Sequence, residues 1–199
     1  VGKPASLLWS SGVSLVDLNL DGRLDIYICN TFYRDSTQRR NLLYVNEGVG
    51  EDGIPRFSER AEAYGVADDT YSSHAQFFDY DNDGDQDIYV ANDTGPNFLY
   101  QNNGDGTFTD VGWMIGAAYS GYGEAQGCMG IAFGDYDNDG YQDIFVTNFW
   151  EQTNTLYHND NGAFFSDVSF DARVGMESFK FLAWGTEFFA YDNDGDKDL

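Results

Sequence analysis

Apolar residues in this chain come in short runs broken by clusters of Asp, Asn and Gly. Ala75 to Phe78 and Ile131 to Phe133 precede such clusters, and Ile26-Tyr-Ile28, Ile88-Tyr-Val90 and Ile144-Phe-Val146 follow them. Their β-branched and aromatic content predicts strands. The runs that follow the clusters are apolar at consecutive positions, as in a strand covered on both faces. No long stretch carries the 3.6-residue apolar period of a helix.

The clusters repeat. Asp17-Leu-Asn19-Leu-Asp21-Gly22-Arg23-Leu-Asp25, Asp79-Tyr-Asp81-Asn-Asp83-Gly84-Asp85-Gln-Asp87, Asp135-Tyr-Asp137-Asn-Asp139-Gly140-Tyr141-Gln-Asp143 and Ala190-Tyr-Asp192-Asn-Asp194-Gly195-Asp196-Lys-Asp198 start 62, 56 and 55 residues apart. An Asn-x-Leu-Tyr-x-Asn motif trails the first three, at Asn41 to Asn46, Asn97 to Asn102 and Asn154 to Asn159. Phe57-Ser-Glu59, Phe108-Thr-Asp110 and Phe165-Ser-Asp167 come next. Three motifs recurring in one order at one period define a structural repeat. Each unit reads as four short strands, and stacked antiparallel four-stranded units are the blades of a β-propeller. The expected fold is all-β, with blade starts near 12, 74, 130 and 185. Residues 1–11 are read as the end of a preceding blade and the last blade as truncated, so that 1–199 is a partial propeller of about three and a half blades. Propellers close with about 4–8 blades. The chain opens at Val1 without an initiator Met or apolar leader and stops just after an Asp cluster, so it is read as an excerpt of a longer protein.

Charge sharpens the picture. The 199 residues carry 34 Asp+Glu against 10 Lys+Arg, a formal net charge of −24, with 17% aromatic residues. The aromatics argue for a packed core, not a disordered acidic tail. The acidity argues against nucleic acid and anionic membranes as partners, since both need a basic face. No apolar run is long enough to span a bilayer. Two cysteines, Cys29 and Cys128, stand where small residues occupy the other units, and a packing role is expected for both, without a mutual disulfide.

Carboxylates at loop positions 1, 3, 5 and 9 with Gly at 6 match a calcium loop, in which six to eight oxygens surround the ion and Gly permits the turn. The expected ligands are Asp17, Asn19, Asp21 and Asp25; Asp79, Asp81, Asp83 and Asp87; Asp135, Asp137, Asp139 and Asp143; and Asp192, Asp194 and Asp198. Position 7 would contribute only its carbonyl, which lets Arg23, Asp85, Tyr141 and Asp196 share it. Ala190 removes one ligand and weakens the fourth site. An EF-hand would need a bidentate Glu at position 12, where Ile28, Val90 and Val146 stand. The bland alternative is a set of hydrophilic turns. Two carboxylates about 5 Å apart repel by roughly 3 kcal/mol at an effective dielectric of about 20, a cost that Asn, Ser or Gly would avoid. The loops hold 16 of the 34 acids.

The stretch Asp79 to Asn92 followed by Asn97 to Val111 resembles the FG-GAP/VCBS repeat of integrin-α-like propellers. Cys128 to Gly140 running into Asp143 to Phe149 is similar to the ASPIC/UnbV-associated, cartilage-acidic-protein-like group. The resemblance covers essentially the whole chain. It implies a calcium-bound, seven-bladed propeller, secreted, at the cell surface or periplasmic, that serves as a non-catalytic adhesion or protein-interaction module. Leu18, Leu20 and Ala190 depart from the repeat.

Other residues are weighed on the same terms. Unit one carries an insertion, Thr31 to Arg40, whose Arg34, Arg39 and Arg40 are candidates for contact with a partner. His158 aligns with Val45 and Gln101 at an expected surface position, and His74 with glycines; neither reads as a catalytic base. Asn92-Asp-Thr94 is a glycosylation sequon. No nucleophile–base pair or phosphate loop appears, so no enzyme activity is expected. The alternative function is a glycan-binding propeller, or the carbohydrate-recognition part of a larger secreted enzyme, with Trp113, Phe149, Trp150 and Asn154 stacking on sugar. The partner is thus an extracellular protein or a glycan.

Overall fold

Three consecutive up-and-down groups of four strands make up the computed structural model, which describes residues 9–31, 40–192 and 194–199. The first is β1 (Trp9–Val16), β2 (Asp25–Thr31), β3 (Leu42–Val49) and β4 (Pro55–Glu59). The second is β5 (Ser72–Phe78), β6 (Asp87–Gly95), β7 (Phe98–Asn102) and β8 (Phe108–Asp110). The third is β9 (Gln126–Gly134), β10 (Asp143–Asn148), β11 (Thr155–Asn159) and β12 (Phe165–Asp167). Within each group neighbouring strands pair antiparallel in chain order, so the units are four-stranded blades. One-turn helices α1 (Ala61–Tyr64) and α2 (Gly175–Ser178) follow β4 and β12. Phe189 bridges Asp198 in the opening hairpin of a fourth unit.

Two boundaries differ from the sequence reading. Residues 9–11 belong to β1, where Trp9 faces Thr31 and Ser10 faces Asn30, and not to a preceding blade. A one-residue bulge at Ser11 lets the strand continue past Gly12. The second and third blades are also joined, because β6 overshoots its own blade and pairs with β9 at Asp93–Gly127 and Gly95–Gln126.

The cores lie between the blades. One cluster joins Tyr27, Cys29 and Leu43 of the first blade to Ala75, Ile88 and Val90 of the second. A second joins Phe78, Tyr89 and Leu99 to Ile131, Ile144 and Tyr157, and a third joins Ala132, Phe145 and Leu156 to Phe188. This explains the run of buried positions along β6 and β10: each central strand has a blade on either side. At each junction an aromatic of the second strand meets one from the next unit edge to face. The pairs are Tyr27–Phe77 at 6.2 Å, Tyr89–Phe133 at 6.3 Å and Phe145–Phe188 at 6.5 Å. Such pairs add about 0.5–1.5 kcal/mol beyond the area they bury. Tyr27 and Tyr89 also donate their hydroxyls to the Val66 and Ala117 carbonyls.

The first strands are tied by hydrogen bonds. Each carries a one-residue bulge, at Ser11, Ser73 and Met129. The bulge turns Ser11 Oγ onto the Ser72 carbonyl (2.6 Å) and Ser73 Oγ onto the Cys128 carbonyl (2.6 Å) of the next blade. Met129 has no hydroxyl, and Thr147 on the adjacent strand takes over, donating to the Trp184 carbonyl at 2.9 Å. Gly130 permits that approach, since a Cβ there would lie 1.8 Å from the Trp184 oxygen.

Both cysteines are free and buried, as expected for packing residues, but Cys128 has a local cost. In the first two blades a buried Asn at the end of the second strand is held from three sides. Its N–H donates to Asn41 or Asn97 Oδ1, its Nδ2 donates to a loop carbonyl, and its Oδ1 accepts from Ser10 or Ser72. Asn148 repeats the first two bonds. Its Oδ1 is buried without a partner, because Cys128, a weak donor, replaces the serine opposite it. The sequon residue Asn92 is one of these buried asparagines, so its amide is not available for modification in the folded chain.

Cys128→Ser supplies the missing donor and should raise stability by about 1 kcal/mol, whereas Ser72→Ala should lower it by about 1 kcal/mol, since the Thr70 hydroxyl still donates to Asn92 Oδ1 at 2.9 Å. Urea-unfolding midpoints of the two variants check both signs.

Candidate metal centre

The Asp loops are the tips of the hairpins β1–β2, β5–β6 and β9–β10. Two left-handed residues close each tip: position 4 (Leu20, φ 55°; Asn82, φ 60°; Asn138, φ 61°) and the following Gly22, Gly84 or Gly140. Asn adopts this backbone region readily and Leu does not. Asn82 and Asn138 also reach to the next loop, donating to the Gly140 carbonyl (3.1 Å) and Asp196 Oδ1 (3.0 Å). Leu20 has no such group and stays exposed.

Within each tip the carboxylates hold the backbone. The position-1 residues Asp17, Asp79 and Asp135 accept from the N–H groups of positions 5 and 6 at 2.8–3.1 Å. Asn19, Asp81 and Asp137 accept a second, longer bond from position 5. Asp21, Asp83, Asp139 and Asp194 accept from the position-7 N–H. This curl turns the odd-numbered side chains towards one another. Oxygens of Asp79, Asp81 and Asp87 lie within 4.8 Å of one another, as do those of Asp135, Asp137 and Asp139.

Position 9 is different in kind. Asp25, Asp87 and Asp143 are buried, and each accepts one N–H from loop position 2 and one from the last Asn of the third strand. Burial pushes the Asp87 carboxyl up to about 7 and Asp143 up to about 6, against the two backbone donors that pull each down. Burial raises Asp25 too. The neighbouring loop carboxylates add to the rise in all three. The set is rich in carboxylate oxygen. Among the described residues no Lys or Arg pairs with the carboxylates of the second or third loop, while Arg23 pairs with Asp21 in the first.

The position-7 side chains do not join the cluster as a group. Arg23 turns outward, its Nε donating to the Asn46 carbonyl and its guanidinium meeting Asp21. In the second, third and fourth loops the shared feature of Asp85, Tyr141 and Asp196 is the backbone N–H bonded to position 5. The fourth loop keeps three of the other loops' bonds, Tyr191 N–H to Asp198, Asp194 N–H to Asp192 Oδ1 and Asp196 N–H to Asp194 Oδ1. Ala190 supplies no carboxylate to gather positions 5 and 6.

Sequence reading missed two contributors. The closing Asn of the Leu-Tyr motif clamps the loop. Asn46, Asn102 and Asn159 donate Nδ2 to the carbonyls of Leu24, Gln86 and Gln142, and donate their N–H to the position-9 carboxylate. The motif's recurrence was the available signal, but its target lies on a different strand. The second is the residue just before that Asn. Gln101 donates to Asp81 at 2.9 Å, and His158, expected on the surface, is instead half-buried with Nδ1 at 3.4 Å from Asp137 and 3.3 Å from Asp143.

The remaining candidates are dispersed. Phe149 lines a cleft of about 620 Å³ with Trp9, His74, Asp93 and Trp184, whereas Trp113 lines a separate cleft of about 420 Å³ with Phe164. Trp150 and Asn154 line neither of these two clefts. Arg34 and Arg39 lie outside the described residues. Arg40 is engaged within the chain, pairing with Glu62 at 2.8 Å. No described helix is long and apolar enough to cross a membrane.

Comparison with known proteins places this geometry in a family. The model of the FG-GAP-like repeat matches residues 17–90, 79–146 and 135–199. The chain is 32% identical over 168 residues to cartilage acidic protein 1 of Mus musculus and to that of Homo sapiens, which covers 77% of this chain but 23% and 22% of those proteins. It thus spans less than a quarter of their length. A lectin of Agrocybe aegerita, described for recognition of non-reducing terminal N-acetylglucosamine, superposes with a TM-score of 0.40 at 22% identity over 77% of this chain and 36% of its own. With three successive matches that share the Asp loops, and an all-β blade architecture around them, the chain belongs to the FG-GAP-like repeat family.

Proposed function

We propose that each Asp loop holds a Ca²⁺ ion and that the chain is a calcium-stabilised stretch of an extracellular propeller, a non-catalytic module for adhesion or protein interaction. The observation that carries this reading is the convergence of carboxylate oxygens at the tips of the second and third loops, where no Lys or Arg among the described residues pairs with them. The residues fit the ion. Positions 1, 3, 5 and 9 offer hard oxygens, the position-7 carbonyl adds another, and calcium takes six to eight at about 2.3–2.6 Å. Magnesium fits less well, because it keeps several waters in a strict octahedron. The ion supplies positive charge that ties the two strands of the hairpin; the chain's own residues hold the turn. Four ions would bring the formal charge from −24 to −16.

The non-catalytic part rests on the repetition of the acidic constellation in successive blades, as a scaffold requires. The family resemblance and the acidity support an extracellular, cell-surface or periplasmic setting and a protein or glycan ligand. Affinity in the range of extracellular modules suits that setting.

Calcium at about one hundred times its dissociation constant should stabilise the fold by about 2.7 kcal/mol per site, read as a rise in melting temperature that chelator reverses. No heat of calcium uptake by calorimetry and a melting point indifferent to chelator would overturn the proposal. Asp83→Asn keeps an acceptor for the Asp85 N–H but removes a charge, and should weaken one site by roughly tenfold or more. Ala190→Asp restores position 1 of the fourth loop and should strengthen the weakest site in the same titration.

A further inference from the structure

Resting on the calcium reading, the inference here concerns what distinguishes the third loop. Its neighbour on β11 is an imidazole. His158 Nδ1 lies 3.3 Å from Asp143 Oδ1 and 3.4 Å from Asp137 Oδ2, and the three groups can offer ligand atoms within 4.8 Å of one another. Nδ1 is buried and makes no hydrogen bond. The other ring nitrogen faces outward, with Nε2 3.6 Å from Asp160 Oδ1; Asp160 is itself held by the Ser166 hydroxyl at 2.8 Å. Tyr136 packs edge to face on the ring, with centroids 6.0 Å apart. An unbonded nitrogen in front of two carboxylates, with a third carboxylate near the outer nitrogen, resembles the surroundings of a metal-ligating histidine, whose outer nitrogen commonly faces a carboxylate.

The equivalent positions show that this is particular to one blade. In the second blade Gln101 stands there and simply donates its amide to Asp81 at 2.9 Å, and in the first blade the residue is Val45. Three loops of the same carboxylate plan therefore have an apolar, an amide and an imidazole neighbour. The spacing also fits an ion: two ligands about 2.1 Å from one zinc at the tetrahedral angle lie about 3.4 Å apart.

We infer that His158 makes the third loop a mixed nitrogen–oxygen site that selects a borderline divalent cation such as Zn²⁺, with Asp137, Asp143 and His158 as ligands. The first and second loops remain all-oxygen sites for calcium. The chemical ground is ligand type: carboxylate and carbonyl oxygens suit calcium, whereas imidazole nitrogen raises affinity for zinc and its neighbours in the transition series. Asp139 and Asp135 complete the acidic surroundings and keep the loop able to hold calcium when no zinc competes.

The test is zinc titration of the calcium-saturated chain by calorimetry, alongside the histidine ¹⁵N spectrum. His158→Gln is the variant, since Gln101 shows that the fold accepts glutamine there. His74→Gln, altering the chain's other histidine, on β5, is the control. Wild type and the control should take up one zinc, with a shift of the His158 Nδ1 resonance, and His158→Gln should lose at least about tenfold in zinc affinity. Zinc affinity unchanged in His158→Gln, or an unmoved Nδ1 resonance, overturns the inference. Normal calcium heats alongside that result confine the failure to the third loop's selectivity. Absent calcium heats in wild type overturn the calcium reading separately, and zinc uptake that still depends on His158 would then uphold the mixed site alone.

Discussion

A buried carboxylate that accepts two backbone N–H groups is the fixed point of every blade. Asp25, Asp87 and Asp143 join the start of a hairpin tip to the end of the third strand, two segments that are far apart in the chain. A neutral side chain of similar size could not accept both bonds as strongly, since hydrogen bonds to an ionised acceptor are shorter and roughly twice as strong. Burial makes that charge expensive and pushes all three carboxyls up, while the two backbone donors pull each down. The rest of the tip is arranged around that cost: more carboxylates at positions 1, 3 and 5, each holding backbone N–H groups, and a turn tight enough to bring them together.

Stacking supplies the second constraint. A single blade has two apolar faces and cannot bury either alone, so each core belongs to a pair of blades and stability is built from neighbour to neighbour. The edge-to-face aromatic pair and the bulged serine recur at successive junctions because every junction poses the same geometric problem. The exceptions compensate. Where Met129 displaces the serine, Thr147 makes the bond from the neighbouring strand. Where Cys128 displaces another serine, nothing does, and the Asn148 oxygen is left unpaired.

These exceptions show that the blades are alike in architecture and unlike in chemistry. Leu20 occupies a left-handed position that the other loops give to Asn and forgoes the bridge to the next loop. Arg23 neutralises a carboxylate in the first loop only, and His158 stands beside the third only. Each tip is held by its own hairpin and its own third strand, and Asn82, Asn138 and Asn159 also tie it to the neighbouring loop.

The period of the Asp clusters and the alternation of apolar runs were enough to determine four-stranded blades, because each blade's strands are consecutive in the chain and their turns announce themselves in Asp, Asn and Gly. The grouping of acidic side chains within a loop was legible for the same reason: positions 1 to 9 are covalently adjacent, and Gly22, Gly84 and Gly140 mark the turn. What lay across strands was not legible. The clamp by Asn46, Asn102 and Asn159, the bulges that begin β1 at Trp9, and the overshoot of β6 onto β9 all depend on register, which spacing along one strand does not encode. Nor did alignment of His158 with Val45 and Gln101 reveal its surroundings. Its ring meets Asp137 and Asp143 only because the third strand pairs with the second and the hairpin tip folds over that pair. Local chemistry therefore came from the sequence, while the meeting of side chains from different strands was settled by tertiary packing alone.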